Sequence, residues 1–390
     1  MGLYINNTFV PCIKINSAIS PTGTLSISSN NVYNVYGYSS INVNIIDNLE
    51  KRITTGIDLK SYTNSNITYV APYALADQTA SEINMPNVVE IGEGAFYNLH
   101  WCRSYSFPNC EIINESAFYD NYGNVGITSF YAPKVKIIKD YAFYGNQWTA
   151  SEPSVWSFPE CTFIGKSAFR NAYGAAIVLS KCSYIDDNGL HGMPDITSLN
   201  LPSCKYIGIS AFGYCTKLAT ISMPACISAM ANAFEYCSVL TSISLPNCTT
   251  LGSSAFICCS ALTSVNLPKV TVLNSSTFSG CVALTNASLP LCQSVENRAF
   301  YQCSALSTIS LPVCSYIASS AFISCTSLKS IYLMSTSLVS LASTNAFSNT
   351  PISVSTLIGT FGSIYVPSSL LASYQTAIRW STYSSRFVGV

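Results

Sequence analysis

The side chains in this 390-residue chain best suited to chemistry are its 17 cysteines, and their spacing is regular. Eight stand two residues after a recurring proline position: Cys110, Cys161, Cys182, Cys204, Cys226, Cys248, Cys292 and Cys314. Six stand three residues after a recurring phenylalanine: Cys215, Cys237, Cys259, Cys281, Cys303 and Cys325. Only Cys12, Cys102 and Cys258 lie off these two ladders. A zinc site needs paired cysteines or histidine, but there is no C-x-x-C and there are only two histidines, His100 and His191. An odd count excludes complete internal pairing, and stacked strands aim their Cβ bonds the same way, which is poor disulfide geometry. Val88, Val135 and Val270 occupy the first ladder elsewhere. The cysteines therefore read as small apolar core residues, reduced and unreactive when folded, with disulfide staples as the alternative.

Acid–base chemistry has little material. A general base must reach its target within hydrogen-bond distance; His100 could meet Glu93, Glu115 or Asp120 from neighbouring turns of the chain. No nucleophile motif, phosphate loop or dinucleotide fingerprint accompanies it. We expect no enzyme, no catalytic residue, no cofactor and no metal, and read His191 as a surface residue. The 18 basic and 18 acidic side chains cancel, which argues against nucleic acid as a partner. Only 9% of residues are charged and 49% are hydrophobic, against roughly 25% charged in an ordinary domain. Disorder is unlikely with so much apolar content. No apolar run reaches the ~18 residues of a membrane span, so no membrane insertion is expected. The first residues, MGLYINNTFVPCIKINSAIS, do not read as a Sec signal peptide. That leaves a cell-surface or non-Sec secreted location, or a phage virion, all open.

The elements behind these residues come from a repeat. Prolines recur every 22 residues at 202, 224, 246, 268, 290 and 312, with Phe212, Phe234, Phe256, Phe278, Phe300 and Phe322 in phase. Looser copies run upstream through Phe96, Phe118, Phe143 and Phe169. Ile-x-Leu before the proline is a short strand with its middle residue outward. Proline, lacking an N–H, stops it. Gly208 or Gly252 permits a tight turn. Ala-Phe and the following Leu fit a short helical or 3₁₀ segment. One unit cannot bury its own apolar residues; stacked units form a continuous core.

The unit P-x-C-x-x-I-G-x-x-A-F-x-x-C-x-x-L-x-x-I-x-L resembles the BspA-type (treponemal-type) bacterial leucine-rich repeats over roughly residues 57 to 350. The resemblance implies a curved leucine-rich-repeat-like solenoid with short parallel β-strands on the concave face. Short helical or 3₁₀ turns would lie opposite, in about a dozen coils of ~22 residues. It also implies the surface, host-contact or adhesion roles of that family.

Three regions are expected. Residues 1–46 read as a small β module, with strands near Thr24–Ile27, Tyr33–Val35 and Ile41–Ile45. This is either a cap for the open end of the solenoid or an attachment module. Residues 47–350 form the solenoid. Residues 351–390 close it with strand Ile364–Val366 and an amphipathic helix carrying Trp380, Tyr383 and Phe387 on one face.

Candidate ligand-binding residues cluster in the irregular N-terminal loops: Tyr97, His100, Trp101, Tyr119, Tyr122, Tyr144, Trp148 and Tyr173, with Tyr131 on the outward strand stripe. Tyr and Trp give contact area at low entropy cost, and Asn and Gly add adaptable hydrogen bonding. The competing reading is that these rings pack on one another over irregular coils. The expected function is non-enzymatic binding or adhesion to a host or neighbouring-cell surface protein or glycan. The alternative is a phage virion or tail-associated structural or receptor-binding protein with the solenoid as spacer.

Overall fold

The computed structural model describes residues 2–5, 8–11, 58–59, 62–63, 65–99, 101–121, 127–146, 155–174, 176–353 and 361–390. These fall in two compact units, 1–182 and 183–390. Both are wound as parallel-strand β-solenoids, with about 14 turns in all, somewhat more than the sequence suggested.

The strand before each proline is present and in register. In unit 183–390, Ser242–Ser244, Ser264–Asn266 and Asn286–Ser288 pair in parallel, with Ile243 beside Val265 beside Ala287. In unit 1–182, Glu82–Asn84, Ser104–Ser106 and Ser129–Tyr131 do the same. Ile243 is buried between exposed Ser242 and Ser244, the alternation that a half-buried strand demands.

A second ladder follows the proline. Residues such as Tyr206–Ile207, Ser228–Ala229 and Thr250–Leu251 form two-residue parallel strands, matched in unit 1–182 by Glu90–Ile91, Ile112–Ile113, Ile137–Ile138 and Phe163–Ile164. Two residues are too few to show a period, so the sequence reading placed only a turn there.

The expected helical or 3₁₀ turns at Ala-Phe are not what forms. The N–H groups of Ser210, Phe212 and Tyr214 donate to the carbonyls of Ala231, Ala233 and Glu235 in the next coil, at 2.8–2.9 Å. Those of Ala211, Gly213 and Cys215 close local turns onto Gly208, Ser210 and Phe212. A helix would spend every donor locally and leave nothing to bind the next coil. The alternation requires left-handed residues, at Ser210 (φ 51°) and Tyr214 (φ 59°). Asn, Asp and Gly tolerate that region best, and the two columns include Gly94, Asn98, Asp120, Asn188, Asn232 and Gly280. The exception is the Ala346-Phe347 copy, where Thr344–Phe347 is a 3₁₀ helix.

The core is a stack of like side chains. Phe96, Phe118, Phe143 and Phe169 lie ring on ring at 4.9–5.0 Å. Phe212, Phe234, Phe256, Phe278, Phe300, Phe322 and Phe347 repeat this at 5.1–5.5 Å. Unit 1–182 adds buried Tyr105, Phe130 and Trp156 at the strand position that Ile or Leu fills elsewhere. Gly208 and Gly252 serve another purpose than the turn first assigned to them. A Cβ on Gly252 would lie 2.2 Å from the backbone nitrogen of Ala231, and one on Gly208 2.5 Å from the Asp186 carbonyl carbon. The glycine lets one coil touch the backbone of the coil before it.

The C-terminal segment covers the last coil, though not as the single helix expected. Ser363–Val366 extends the strand ladder and Phe387–Gly389 adds one more strand. Between them lie a six-residue α-helix, Leu371–Thr376, and a 3₁₀ stretch, Trp380–Arg386. Phe387 is therefore on a strand, while Trp380 and Tyr383 are buried on the 3₁₀ segment. Trp380 Nε1 donates to Val339 O at 2.7 Å, Tyr374 Oη accepts from Val339 N, and Tyr383 Oη donates to Thr344 O. At the other end, Gly2–Ile5 and Thr8–Pro11 form an antiparallel hairpin. The strands expected at 24–27, 33–35 and 41–45 lie outside the described residues.

Candidate recognition surface

The third residue of each three-residue strand forms the predicted stripe, and in unit 183–390 it is small and polar from Asn200 to Ser310. In unit 1–182 it is interrupted by Tyr131, which is 55% exposed and paired with Ser106 on the adjacent strand. A neighbour that small leaves the phenol ring standing clear of the sheet.

Tyr97, Tyr119 and Tyr144 follow the core phenylalanines directly and occupy the turn column rather than the strand ladder. They stack on one another at 5.3 and 4.9 Å with ring planes within 9°. Stacking spends both faces of Tyr119 and one face each of Tyr97 and Tyr144, the packing that the competing reading describes. Burial, then the neighbouring Tyr144, push the Tyr119 phenol up. Trp101 is 47% exposed and held at φ 70°, a conformation that bulky residues seldom adopt. Tyr173 is 38% exposed, and its carbonyl accepts the Trp156 indole N–H at 3.1 Å. Among the described residues, no ring packs on Trp101, Tyr131 or Tyr173. His100, Tyr122 and Trp148 lie outside the described residues.

Sequence reasoning did not single out Tyr73. Its hydroxyl donates to Glu93 Oε1 at 2.7 Å, and that bond, with burial, raises its pKa to about 12. Gly94 makes room: a Cβ there would fall 2.4 Å from the Tyr73 ring. Paired tyrosines in unit 183–390 were missed too, although their shared phase in consecutive copies was a usable signal.

Zero net charge conceals a local imbalance. Between 65 and 121 stand Asp77, Glu82, Glu90, Glu93, Glu111, Glu115 and Asp120 against Arg103 alone. Glu111 is compensated by Lys136 at 2.8 Å, an exposed pair of the kind that contributes little. Glu93, Glu115 and Asp120 belong to the same turns as the stacked tyrosines.

The described cysteines of both ladders are buried, as the spacing predicted, with one addition. All 16 described cysteines are free thiols, and all but Cys258 are buried. In the second ladder, Cys237, Cys259, Cys281, Cys303 and Cys325 donate S–H to the carbonyls of Phe212, Phe234, Phe256, Phe278 and Phe300 in the preceding coil, at 3.0–3.2 Å. Those carbonyls already accept an N–H from their own coil, such as Cys215 N to Phe212 O. The thiol supplies the second lone pair with a donor, which an apolar residue cannot do. Burial pushes Cys110, Cys161, Cys215, Cys314 and Cys325 up to about 12. Thiols so far from the thiolate are poor nucleophiles and poor ligands. Among the described residues no cluster of three His, Cys, Asp or Glu could hold a metal ion, and no helix is long and apolar enough to cross a membrane. His191, half-buried, sets its ring 5.4 Å from Tyr214.

The sequence profile of the BspA-type leucine-rich repeat region matches residues 5–124, 55–149, 162–285 and 249–367. The chain belongs to this family. The BspA-type chain is similar in fold to a leucine-rich repeat protein of Bacteroides ovatus, at 21% identity and TM-score 0.51, over 80% of this chain and 84% of that one. A leucine-rich repeat protein of Eubacterium ventriosum matches at 21% identity and TM-score 0.46, over 83% and 86% of the two chains. A leucine-rich cell surface protein of Faecalibacterium prausnitzii matches at 18% identity and TM-score 0.41, over 87% and 93%. At such identities the shared property is the fold. No curated protein matches the sequence.

Proposed function

We propose that this BspA-type chain is a non-enzymatic binding protein of the adhesion type. On this reading it takes a protein or glycan at a host or neighbouring-cell surface through unit 1–182. The observation that carries the reading is the set of uncovered rings Trp101, Tyr131 and Tyr173 on a rigid solenoid. Large exposed aromatics are the side chains that dominate recognition surfaces, and strain such as that at Trp101 persists where function rewards it. The excess of carboxylates between 65 and 121 favours a basic protein segment or a neutral glycan over an acidic polysaccharide. The spacer alternative in a phage virion rests on residues 1–46, where the described residues form the hairpin of Gly2–Ile5 with Thr8–Pro11.

The test is an array of glycans and host-matrix proteins probed with the whole chain. The hit is then measured against the triple variant Trp101→Ala, Tyr131→Ala, Tyr173→Ala. Loss of at least about tenfold in affinity, with an unchanged melting temperature, supports the proposal. Unchanged affinity refutes it.

A further inference from the structure

The tyrosine surplus, 25 in the chain, has a second expression in unit 183–390. Tyr184 and Tyr206 lie ring on ring at 4.4 Å and 9°, as do Tyr332 and Tyr365 at 4.4 Å and 9°. Each pair sits at facing positions of in-register parallel strands. Parallel, in-register pairing points both Cα–Cβ bonds the same way, so the two rings of each pair leave the sheet side by side with their ortho edges within one stack. A phenol–phenol hydrogen bond between Tyr184 and Tyr206 holds the two hydroxyls at the same end. All four rings are half-buried, each keeping part of its surface in solvent.

Two phenoxyl radicals couple where their ortho carbons can meet, and stacking on adjacent strands keeps the two rings together for that encounter. We propose that Tyr184–Tyr206 and Tyr332–Tyr365 are oxidative cross-linking sites, each closed into a dityrosine staple between adjacent coils by a haem peroxidase using hydrogen peroxide. Each phenol gives up one electron and one proton. The two radicals form a carbon–carbon bond between ortho positions, and the two ortho hydrogens move to oxygen to restore the phenols. Peroxide takes the two electrons and two protons and leaves as two waters. The buried cysteines are shielded from the oxidant, whereas Cys258 is partly exposed; it interacts with Tyr236, in a third pair, Tyr214–Tyr236, which is looser at 4.7 Å and 16°.

The pairs differ in a way that separates stacking from exposure. Tyr214 and Tyr236 are 45% and 41% exposed, more than the proposed sites. The experiment treats the dilute, full-length Cys258→Ser chain with peroxidase and peroxide, then maps cross-linked peptides by mass spectrometry. The expected products are monomers lighter by two hydrogens per staple, linked at 184–206 and 332–365. Tyr206→Phe, which preserves the stacking, abolishes only the first link, and Tyr365→Phe only the second. The stapled chain melts higher, as any cross-link that shortens the unfolded chain's free loops would cause. The proposal is overturned if Tyr214–Tyr236 is the dominant link. It is equally overturned if the two sites cross-link no better in the native chain than in urea.

Discussion

Replacing Asn146 by cysteine should stabilise unit 1–182. Asn146 occupies the position, three after its phenylalanine, that cysteine holds in six copies. Its Nδ2 donates to Phe118 O at 2.8 Å, the bond that Cys281 makes to Phe256 O at 3.1 Å. Its backbone N–H closes onto Phe143 O at 3.3 Å, just as Cys215 N–H closes onto Phe212 O at 3.3 Å, so the Cβ starts from an equivalent place. The amide brings an extra oxygen, however, and Oδ1 is fully buried with no hydrogen-bond partner among the described residues. An unsatisfied buried acceptor costs about 1–3 kcal/mol. The thiol removes that oxygen but gives a weaker bond, for which we deduct about 0.5–1 kcal/mol. The net gain is about 1 kcal/mol, or roughly 2–4 °C in the melting of a unit of this size. Asn146→Ala removes the same oxygen but leaves Phe118 O without this donor, so it should be less stable than Asn146→Cys by about 1–3 kcal/mol. Urea denaturation followed by Trp fluorescence, with hydrogen exchange at Phe143 to confine the reading to this unit, measures both. A destabilised Asn146→Cys chain would refute the argument that cysteine is preferred because it gives a donor without a second polar atom.

Other outcomes follow from the same structure. Phe256→Ala removes a ring stacked on both sides, at 5.1 and 5.5 Å, and should cost about 3–5 kcal/mol, read as a lower urea midpoint for unit 183–390. A thiol reagent should label Cys258 rapidly in the native chain and the other described cysteines only after denaturation; rapid labelling of most of them would contradict the burial seen. Thiols raised from 9.0 to about 12, as at Cys215 and Cys325, keep their protons longer folded than unfolded. Their contribution is therefore whole below pH 9 and lost as pH climbs towards 12, so an alkaline titration by circular dichroism should unfold the chain in that window. From the sequence alone, Tyr122→Ala with Trp148→Ala is expected to abolish partner binding and leave the fold intact; unfolding instead would show that these rings cover the core.

Much of the architecture was written in the phase of the repeat. Strict spacing of Pro202 through Pro312 and Phe212 through Phe322 placed the strand, its outward residue and the core stack correctly. Burial depends on side-chain type, and type is what a sequence displays. The Ala-Phe segment was misread because its apolar spacing suits a helix. The determinant lay in backbone angles at the flanking Ser, Asn and Gly, where hydrogen bonding to the next coil outweighs local closure. Gly252 looked like a turn residue because the backbone it touches belongs to a coil 22 residues away in sequence. The tyrosines divided for a similar reason. Tyr97, Tyr119 and Tyr144 stack because they share one phase, whereas Tyr131 stands alone because its strand neighbour is Ser106.

The likeness of successive coils has a kinetic consequence. In 183–390 the same contacts recur from coil to coil, Phe on Phe 22 positions along and Cys on a Phe carbonyl 25 positions back. A coil docking on the next-but-one would therefore recover nearly the same contacts and merely loop out one repeat. Closing such a loop adds little entropy cost, so slipped assemblies compete with the correct one while the chain folds. In 1–182 the copies are not interchangeable. Tyr105 with Asn121, Trp156 with the Tyr173 carbonyl, and Asn146 with Phe118 each fit one partner. These mismatched coils act as index marks, penalising a slip by one turn where the uniform stack cannot.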